Sequence, residues 1–204
     1  MSYKFEVESG NTVKFPVGGK YCDRDIEVTA TGGEDFAKSI VERTITEYSN
    51  HEIKTVGARA FSHCAELKSV DLPEVMTIGL HGFNSCHKLE RVSFPKLTTL
   101  NPGDNFTYCY SLEYVDLGLV TNLPAWSLAN CNVLETVILR KTDAICTLLT
   151  TNALSSSKFT DGTGYVYVPS ALVEEYKSAT NWSTYAEQIR AIEDYPEITG
   201  GATI

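Results

Sequence analysis

The sequence predicts a mostly β solenoid of stacked coils, because one phrase of 22 or 23 residues recurs through the middle of the chain. Its four copies are marked by Cys64, Cys86, Cys109 and Cys131, at steps of 22, 23 and 22 residues. In each copy an apolar residue stands three positions before the cysteine, and others stand three, six and eight positions after it. A fixed period in the twenties is typical of solenoid folds. The hydrophobic fraction of 43% suits an extended stack with a large surface.

Each copy contains one predicted strand. In the first copy, residues 67–72 end in the alternation of apolar and polar side chains that is the strand period. Val70 and Leu72 are therefore expected to face the core, and Ser69 and Asp71 to face water. Successive coils would pair these strands into a parallel sheet with ~4.8 Å per step. Pro73 and Pro95 end their strands because proline has no N–H to donate, and Gly118 takes this position in the third copy.

A second apolar column predicts an opposite wall. It consists of Val56, Ile78, Leu100 and Leu123. The segments that follow, such as residues 57–61 and 79–83, are too short for regular helices and are predicted as turns. The third copy carries one extra residue within 101–105, which predicts a local bulge on this wall.

The cysteines are predicted to be free, buried thiols. They share one repeat position, where a small, apolar, weakly donating side chain fits a tight corner. Stacked thiols would lie close enough for a disulfide. However, the start MSYKFEVESG lacks the regions of a secretory signal, so a reducing compartment is expected.

Both ends of a solenoid need caps. Residues 40–48 predict a degenerate first coil. At the other end Ile145 is expected to continue the wall column, Ser157 to replace the cysteine, and residues 165–168 to restore the strand. Ser170 is the predicted N-cap of a helix over about 171–179. A second helix over about 184–192 should cover the last coil together with Trp182.

The chain divides into four predicted segments. Residues 1–33 form a small β-rich unit, with strands at 4–7, 12–15 and 26–29, that serves attachment or homo-oligomerisation, because so short a unit buries little apolar surface. The solenoid spans 38–169, a helical cap spans 170–195, and 196–204 form a flexible tail.

The phrase AFSHCAELKSVDLPEV resembles the BspA-like, or Treponema-type, leucine-rich repeat family over about residues 38–195. The ending YVYVPSALVEEYKSATNWSTYAEQIRAI resembles the C-terminal cap of such proteins. This resemblance implies a right-handed β/α superhelix used for adhesion and protein binding, often on bacterial surfaces, with no enzymatic residues.

The front segment PVGGKYCDRDIEVTATGG is similar to stretches in structural proteins of phages and prophages of Gram-positive gut bacteria. This second resemblance implies a virion protein, assembled in the host cytoplasm without a secretion signal.

Several functions are disfavoured. A net charge of −9 argues against nucleic acid and anionic membranes, which attract clustered Lys and Arg. No run approaches the ~18 apolar residues of a membrane span. The cysteines lack the close pairs of zinc sites, so no metal is expected, and no cofactor motif occurs. There is no nucleophile elbow or phosphate-binding loop, so we expect no enzyme activity and no catalytic residue.

The outward positions of the predicted sheet are the candidate ligand-binding face, because exposed aromatic side chains on a rigid sheet suit recognition. They are Asp71, Arg91, Ser93, Tyr114, Asp116, Thr136, Ile138, Tyr165 and Tyr167. The alternative is that Ile138, Tyr165 and Tyr167 are covered by the terminal loop or helices. A secondary patch is expected at Tyr108, Tyr110 and Trp126 on the loop side.

The sequence therefore predicts a non-enzymatic binding protein whose partner is a protein or a surface glycan. The leading hypothesis is a virion-associated adhesion or host-recognition protein of a phage or prophage. An intracellular inhibitor of a host enzyme and a fragment of a bacterial cell-surface adhesin are the alternatives.

Overall fold

The computed structural model describes residues 45–199 and three short strands that precede them. These strands are Val7–Glu8 (β1), Thr12–Lys14 (β2) and Glu27–Thr29 (β3), and they form an antiparallel sheet in the order β1-β2-β3. They fall within or next to the segments in which strands were predicted. The front half of the predicted first coil and residues 200–204 of the predicted tail lie outside the described residues.

The solenoid consists of short strands, two per coil for most of its length. They are Glu47–Ser49 (β4), Thr55–Val56 (β5), Ser69–Asp71 (β6), Thr77–Ile78 (β7), Arg91–Ser93 (β8), Thr99–Leu100 (β9), Tyr114–Asp116 (β10), Asn122–Leu123 (β11), Thr136–Ile138 (β12), Thr147–Leu148 (β13), Tyr165–Val168 (β14) and Ile189–Ala191 (β15). The described helices are one α-helix, Val173–Ser178 (α1), and 3₁₀ helices at Thr151–Leu154, Ser170–Leu172, Trp182–Gln188, Ile192–Asp194 and Pro196–Thr199. The wall segments 57–61 and 79–83 form turns, as predicted.

One long parallel sheet joins the coils in the order β15-β14-β12-β10-β8-β6-β4. Its register follows the sequence repeat: Val115 pairs with Val92 on one side and with Val137 on the other. These valines are buried, as is Leu72, and Val70 is partly buried against the core, whereas Ser69 and Asp71 are exposed. The predicted parallel sheet and the predicted inward face are therefore confirmed.

The opposite wall is a sheet in two pieces, β5-β7-β9 and β11-β13. The break follows β9, where the third copy carries its extra residue and where Gly103 adopts a positive φ of 134°. In the last coil, Leu148 pairs with Leu123 and continues the apolar column. The prediction that Ile145 holds this position was wrong, because the longer last coil shifts the column by three residues and leaves Ile145 only partly buried.

The core is built from columns of identical side chains. Phe61, Phe83 and Phe106 stack with centroid distances of 5.0 and 5.3 Å and interplanar angles of 1° and 5°. Beside them lie buried free cysteines, as predicted. The Cys86 and Cys109 thiols donate to the carbonyl oxygens of Phe61 and Phe83, one coil back, over 3.1 and 3.2 Å. Each of these thiols therefore fills a buried position in its own coil and donates a hydrogen bond to the preceding one.

The last coil is closed by two aromatic side chains. The Tyr176 hydroxyl accepts a hydrogen bond from the Cys146 N–H at 2.7 Å, and the Trp182 indole donates to the Cys146 carbonyl at 2.6 Å. Both aromatic side chains are fully buried, which confirms that Trp182 covers the last coil. Ser157, also buried, occupies the position predicted for it in the cysteine column, since Asn130 N–H bonds the Ser155 carbonyl in the register used by the other coils.

Two predictions about the cap were wrong. Ser170 is not the N-cap but the first residue of a 3₁₀ helix whose cap position is Pro169, and its N–H donates to the Glu193 carboxylate at 2.9 and 3.1 Å. The second helix is replaced by the 3₁₀ helix Trp182–Gln188 and by β15, which pairs Ile189 with Val166. Residues 189–191 pair as a strand because the edge of β14 presents backbone N–H and C=O groups that need hydrogen-bond partners, which a helix could not provide.

Candidate functional site

The first coils present a polar, exposed stretch of sheet. Asp71, Arg91 and Ser93 are exposed, as predicted. The Asp71 carboxylate lies 2.6 Å from His51 Nε2, and Ser49 Oγ lies 3.4 Å from the same nitrogen. A catalytic relay requires the histidine to bridge acid and nucleophile through its two nitrogens. This cluster is therefore a surface pair of imidazole and carboxylate with a neighbouring hydroxyl.

The centre of the same face is closed by a buried ion pair. Asp116 is inaccessible to solvent and accepts from Arg140 Nε at 2.8 Å, Ser93 Oγ at 3.2 Å and the Gly118 N–H at 3.0 Å. Arg91 lies over the Tyr114 ring at 4.0 Å from its centroid. Burial raises the pKa of Tyr114. The expectation that Tyr114 and Asp116 are exposed is therefore wrong.

The C-terminal part of the face is covered by residues 192–198, which we call the C-terminal strap. Ile192 and Ile198 pack with Ile138 and Tyr167 in an apolar cluster separate from the core, and Tyr195 meets Tyr167 edge-on at 5.3 Å. Thr136, Ile138 and Tyr167 are buried, and Tyr165 is half-buried with Arg190 over its ring. The alternative of a covered face is thus the correct one. The strap contains a 3₁₀ helix where a flexible tail was predicted to begin.

An exposed group of rings lies at the edge between sheet and wall. Tyr108, Tyr110 and Trp126 are 42%, 46% and 46% exposed. His87 stacks on Tyr110 at 5.0 Å, and Tyr108 meets Tyr110 at 6.1 Å with an interplanar angle of 61°. We call His87, Tyr108 and Tyr110 the aromatic edge cluster. Trp126 belongs to the next coil, where its carbonyl oxygen accepts a hydrogen bond from Thr107 Oγ1.

His87 was missed as a site residue from the sequence. The signal was present, because His87 directly follows its cysteine as Tyr110 does, one coil further on. Side chains at one repeat position in adjacent coils lie one strand spacing apart, close enough for rings to stack.

The backbone just before the cysteine column has one conformation in every described coil. The residues with positive φ at this position are His63, Ser85, Tyr108, Asn130 and Ser156. Asn tolerates this left-handed region well, whereas a bulky side chain there costs roughly 1–2 kcal/mol. Tyr108, at φ 64°, is the bulkiest of the five.

Ion pairs flank the early coils. Lys88 bonds Glu66 at 2.6 Å, and Lys96 bonds Glu74 at 2.6 Å, each pair linking neighbouring coils. These side chains are solvent-exposed, so each pair contributes little to stability.

Over residues 45–199 and the three front strands, no group of three or more His, Cys, Asp or Glu side chains is placed to hold a metal ion. The same part of the chain contains no helix that is long and apolar enough to cross a membrane.

These features define the class: a leucine-rich repeat solenoid with a parallel sheet, a cysteine column and a capped last coil. The model of the BspA-type leucine-rich repeat region matches residues 34–160 in six copies. The chain belongs to this family.

The solved structures that match the chain share little sequence with it. A leucine-rich repeat protein from Bacteroides ovatus is 16% identical, with a TM-score of 0.38, over 84% of this chain and 58% of that one. The pneumococcal vaccine antigen PcpA is 13% identical, with a TM-score of 0.42, over 71% of this chain and 39% of that one. A leucine-rich cell surface protein from Faecalibacterium prausnitzii is 17% identical, with a TM-score of 0.34, over 82% of this chain and 69% of that one.

The chain thus spans less than two thirds of the first two of these proteins. No curated protein sequence matches it.

Proposed function

We propose that the chain is a non-enzymatic binding protein that recognises a protein or a glycan through side chains displayed on the outside of its coils. The observation that carries this proposal is the aromatic edge cluster. The His87 and Tyr108 rings each contact the Tyr110 ring, and all three remain exposed, whereas the other ring pairs found within residues 45–199 lie in the core, the cap or under the C-terminal strap. Exposed aromatic groups of this kind are typical of recognition surfaces.

The chemistry of the described residues supports binding over catalysis. Burial raises the pKa of the Cys86 and Cys131 thiols well above the ordinary value, so they are poor nucleophiles at neutral pH. His51 and Asp71 are exposed to solvent. Neither group lies in the electropositive or dry setting that activates a nucleophile or a base.

Binding is tested with labelled protein on a panel of intact gut bacteria and, in parallel, by capture from their lysates. The wild-type chain should bind at least one species, and the double variant Tyr108→Asn/Tyr110→Ser should lose that binding. Asn is chosen at 108 because it tolerates the left-handed backbone. Leu149→Ser is the matched control, since it removes a 54% exposed apolar side chain at the position directly after β13. Binding to neither cells nor lysate proteins would contradict the proposal.

The more specific proposal is a virion-associated host-recognition protein of a phage or prophage. It rests on the resemblance of the front segment PVGGKYCDRDIEVTATGG to phage structural proteins, and residues 1–33 would attach the chain to the particle or to its own copies. Immunogold labelling should find the protein on purified virions. Its absence from virions, together with one stoichiometric partner in lysate, would favour an intracellular inhibitor; its presence on bacterial surfaces would favour an adhesin.

A further inference from the structure

The aromatic edge cluster has the size of a small ligand. Its rings come from two adjacent coils, which lie ~4.8 Å apart. Specific protein–protein interfaces need about 800 Å² from each partner and 20–30 residues. The three rings of the cluster have centroid separations of 5.0 and 6.1 Å, so the surface they form is instead the size of one or two sugar rings.

The geometry of the rings suits stacking. Tyr108 and Tyr110 stand on either side of the buried Cys109, and their rings are inclined by 61°, so they form a corner. His87 stacks on Tyr110 at an interplanar angle of 29° and fixes its orientation. A ring held in this way is a preorganised surface on which the apolar C–H face of a ligand ring can stack.

The surroundings of the cluster are polar but carry no carboxylate or ammonium group at the positions next to the cysteines. In the three central coils these positions are Ser85, His87, Tyr108, Tyr110, Asn130 and Asn132. With its amide oriented to satisfy both groups, Asn132 donates to the Asn130 and Ser156 carbonyl oxygens at 3.2 Å. The nearby Lys88 is neutralised by Glu66 at 2.6 Å. In a chain of net charge −9, this zone favours an uncharged ligand with hydroxyl groups.

The backbone supplies an independent observation. Tyr108 holds a bulky ring at φ 64°, whereas the equivalent residue of the next coil is Asn130, which tolerates this conformation. Every described coil adopts this left-handed conformation just before its cysteine position, so the repeat itself sets the backbone at Tyr108, and the chain keeps a bulky ring where Asn would fit with less strain. We infer that the aromatic edge cluster is a binding site for a neutral glycan, whose sugar rings stack on Tyr108 and Tyr110 while their hydroxyls bond the flanking amide and imidazole groups. This inference rests on the proposed binding function and names its ligand class.

The probes are neutral glycans, namely the polysaccharide mannan and the oligosaccharides cellohexaose, maltohexaose and chitohexaose. Polygalacturonate is the charged comparator, and binding is followed by calorimetry. We expect at least one neutral probe to bind with an affinity that changes less than twofold between about 50 and about 500 mM salt. Tyr110→Ser should weaken it about tenfold, as expected for loss of a stacked ring. Leu149→Ser should bind as the wild type does. Binding confined to polygalacturonate, or insensitive to Tyr110→Ser, would overturn the inference.

Treated cells separate this inference from the proposed function. Cells that the chain binds are oxidised with periodate, which cleaves sugar diols, or digested with protease. Loss of binding after periodate alone supports the glycan. Loss after protease alone overturns the glycan while the binding function stands. A chain that binds no untreated cell and no lysate protein overturns both.

Discussion

Arg140 directs Nε and Nη2 at the same carboxylate oxygen of Asp116, at 2.8 and 2.7 Å. The Asp116 side chain is completely buried, and that of Arg140 is 12% exposed. The pair connects β10 to the segment after β12, across adjacent coils, and its remaining oxygen is satisfied by the Gly118 N–H. Removing one partner of a buried pair costs more than removing both, because a lone charge is left without compensation.

We therefore predict that Arg140→Met lowers the free energy of unfolding by about 3–5 kcal/mol. The double variant Asp116→Asn/Arg140→Met should lose less than the sum of the single changes, and Arg140→Lys should fall between wild type and Arg140→Met. Urea unfolding of the wild type, Arg140→Met, Asp116→Asn and the double variant gives the coupling energy, and Arg140→Lys is measured beside them. Additive losses would show that the two side chains do not depend on one another.

Gly118 is predicted to be irreplaceable because of both its positive φ and the lack of space for a Cβ. Comparison with Gly162 separates these two effects. Gly118 adopts φ 54°, and a Cβ there would come 2.6 Å from Pro95 O and closer still to Phe94 O. Gly162 adopts φ 81° but has open space around it. Gly162→Ala should cost about 1–2 kcal/mol from backbone strain alone, and Gly118→Ala clearly more. Thermal unfolding of both variants checks this, and equal losses would refute the steric argument.

The described cysteines should resist modification while the protein is folded. Cys64, Cys86, Cys109, Cys131 and Cys146 are free and buried. With Cys22 replaced by serine, a maleimide should leave the native chain unlabelled and should modify all five thiols in denaturant, as mass spectrometry would show. Rapid labelling of the native protein would mean that the cysteine column opens to solvent.

Stability should fall at alkaline pH. Burial raises the pKa of the Cys86, Cys131 and Cys146 thiols, that of Cys146 to about 12, while an unfolded thiol titrates near ~8.5. The native state keeps these protons when the unfolded state has lost them. The contribution is therefore complete below pH ~8 and is lost as the pH rises above ~8.5, at up to about 1.4 kcal/mol per pH unit for each thiol. Cys146→Ala should reduce the slope of the unfolding free energy measured from pH 8 to 10; a slope equal to that of the wild type would contradict the assignment.

The C-terminal strap should be a stabilising cover. Tyr195 and Ile198 are partly buried against the apolar cluster on the outer face of the sheet. Replacing both by serine should cost about 2 kcal/mol and should expose Ile138 and Tyr167 to a hydrophobic dye. Glu197→Ser, at an exposed position of the same segment, is the control. A double variant as stable as the control would mean that the strap contributes no packing.

The repeat allowed the stack itself to be predicted from sequence. The period fixes which residues share a column, so the burial of Cys86 and the pairing of Val92 with Val115 follow from the sequence alone. The prediction of the wall column was wrong only at Ile145. The last coil departs there from the repeat period, and several registers satisfy the same apolar pattern.

The cap and the sheet face could not be predicted in this way because they depend on contacts distant in sequence. Residues 189–191 carry no strong strand pattern and form β15 because β14 offers a partner. Tyr167 alternates correctly with inward valines, yet it is buried because Tyr195 folds over it from 28 positions away. The aromatic edge cluster was more accessible to prediction, since its position depends only on neighbouring copies.

The constant step of the coils also makes length an adjustable property of this protein. A duplicate of residues 65–86 inserted after Cys86 would offer the same phenylalanine, thiol and valine to the coil on either side. The stack would grow by one strand spacing, ~4.8 Å, with its terminal cap and its interior columns retained. Tandem duplication can therefore tune the reach of such a molecule without redesign of its ends.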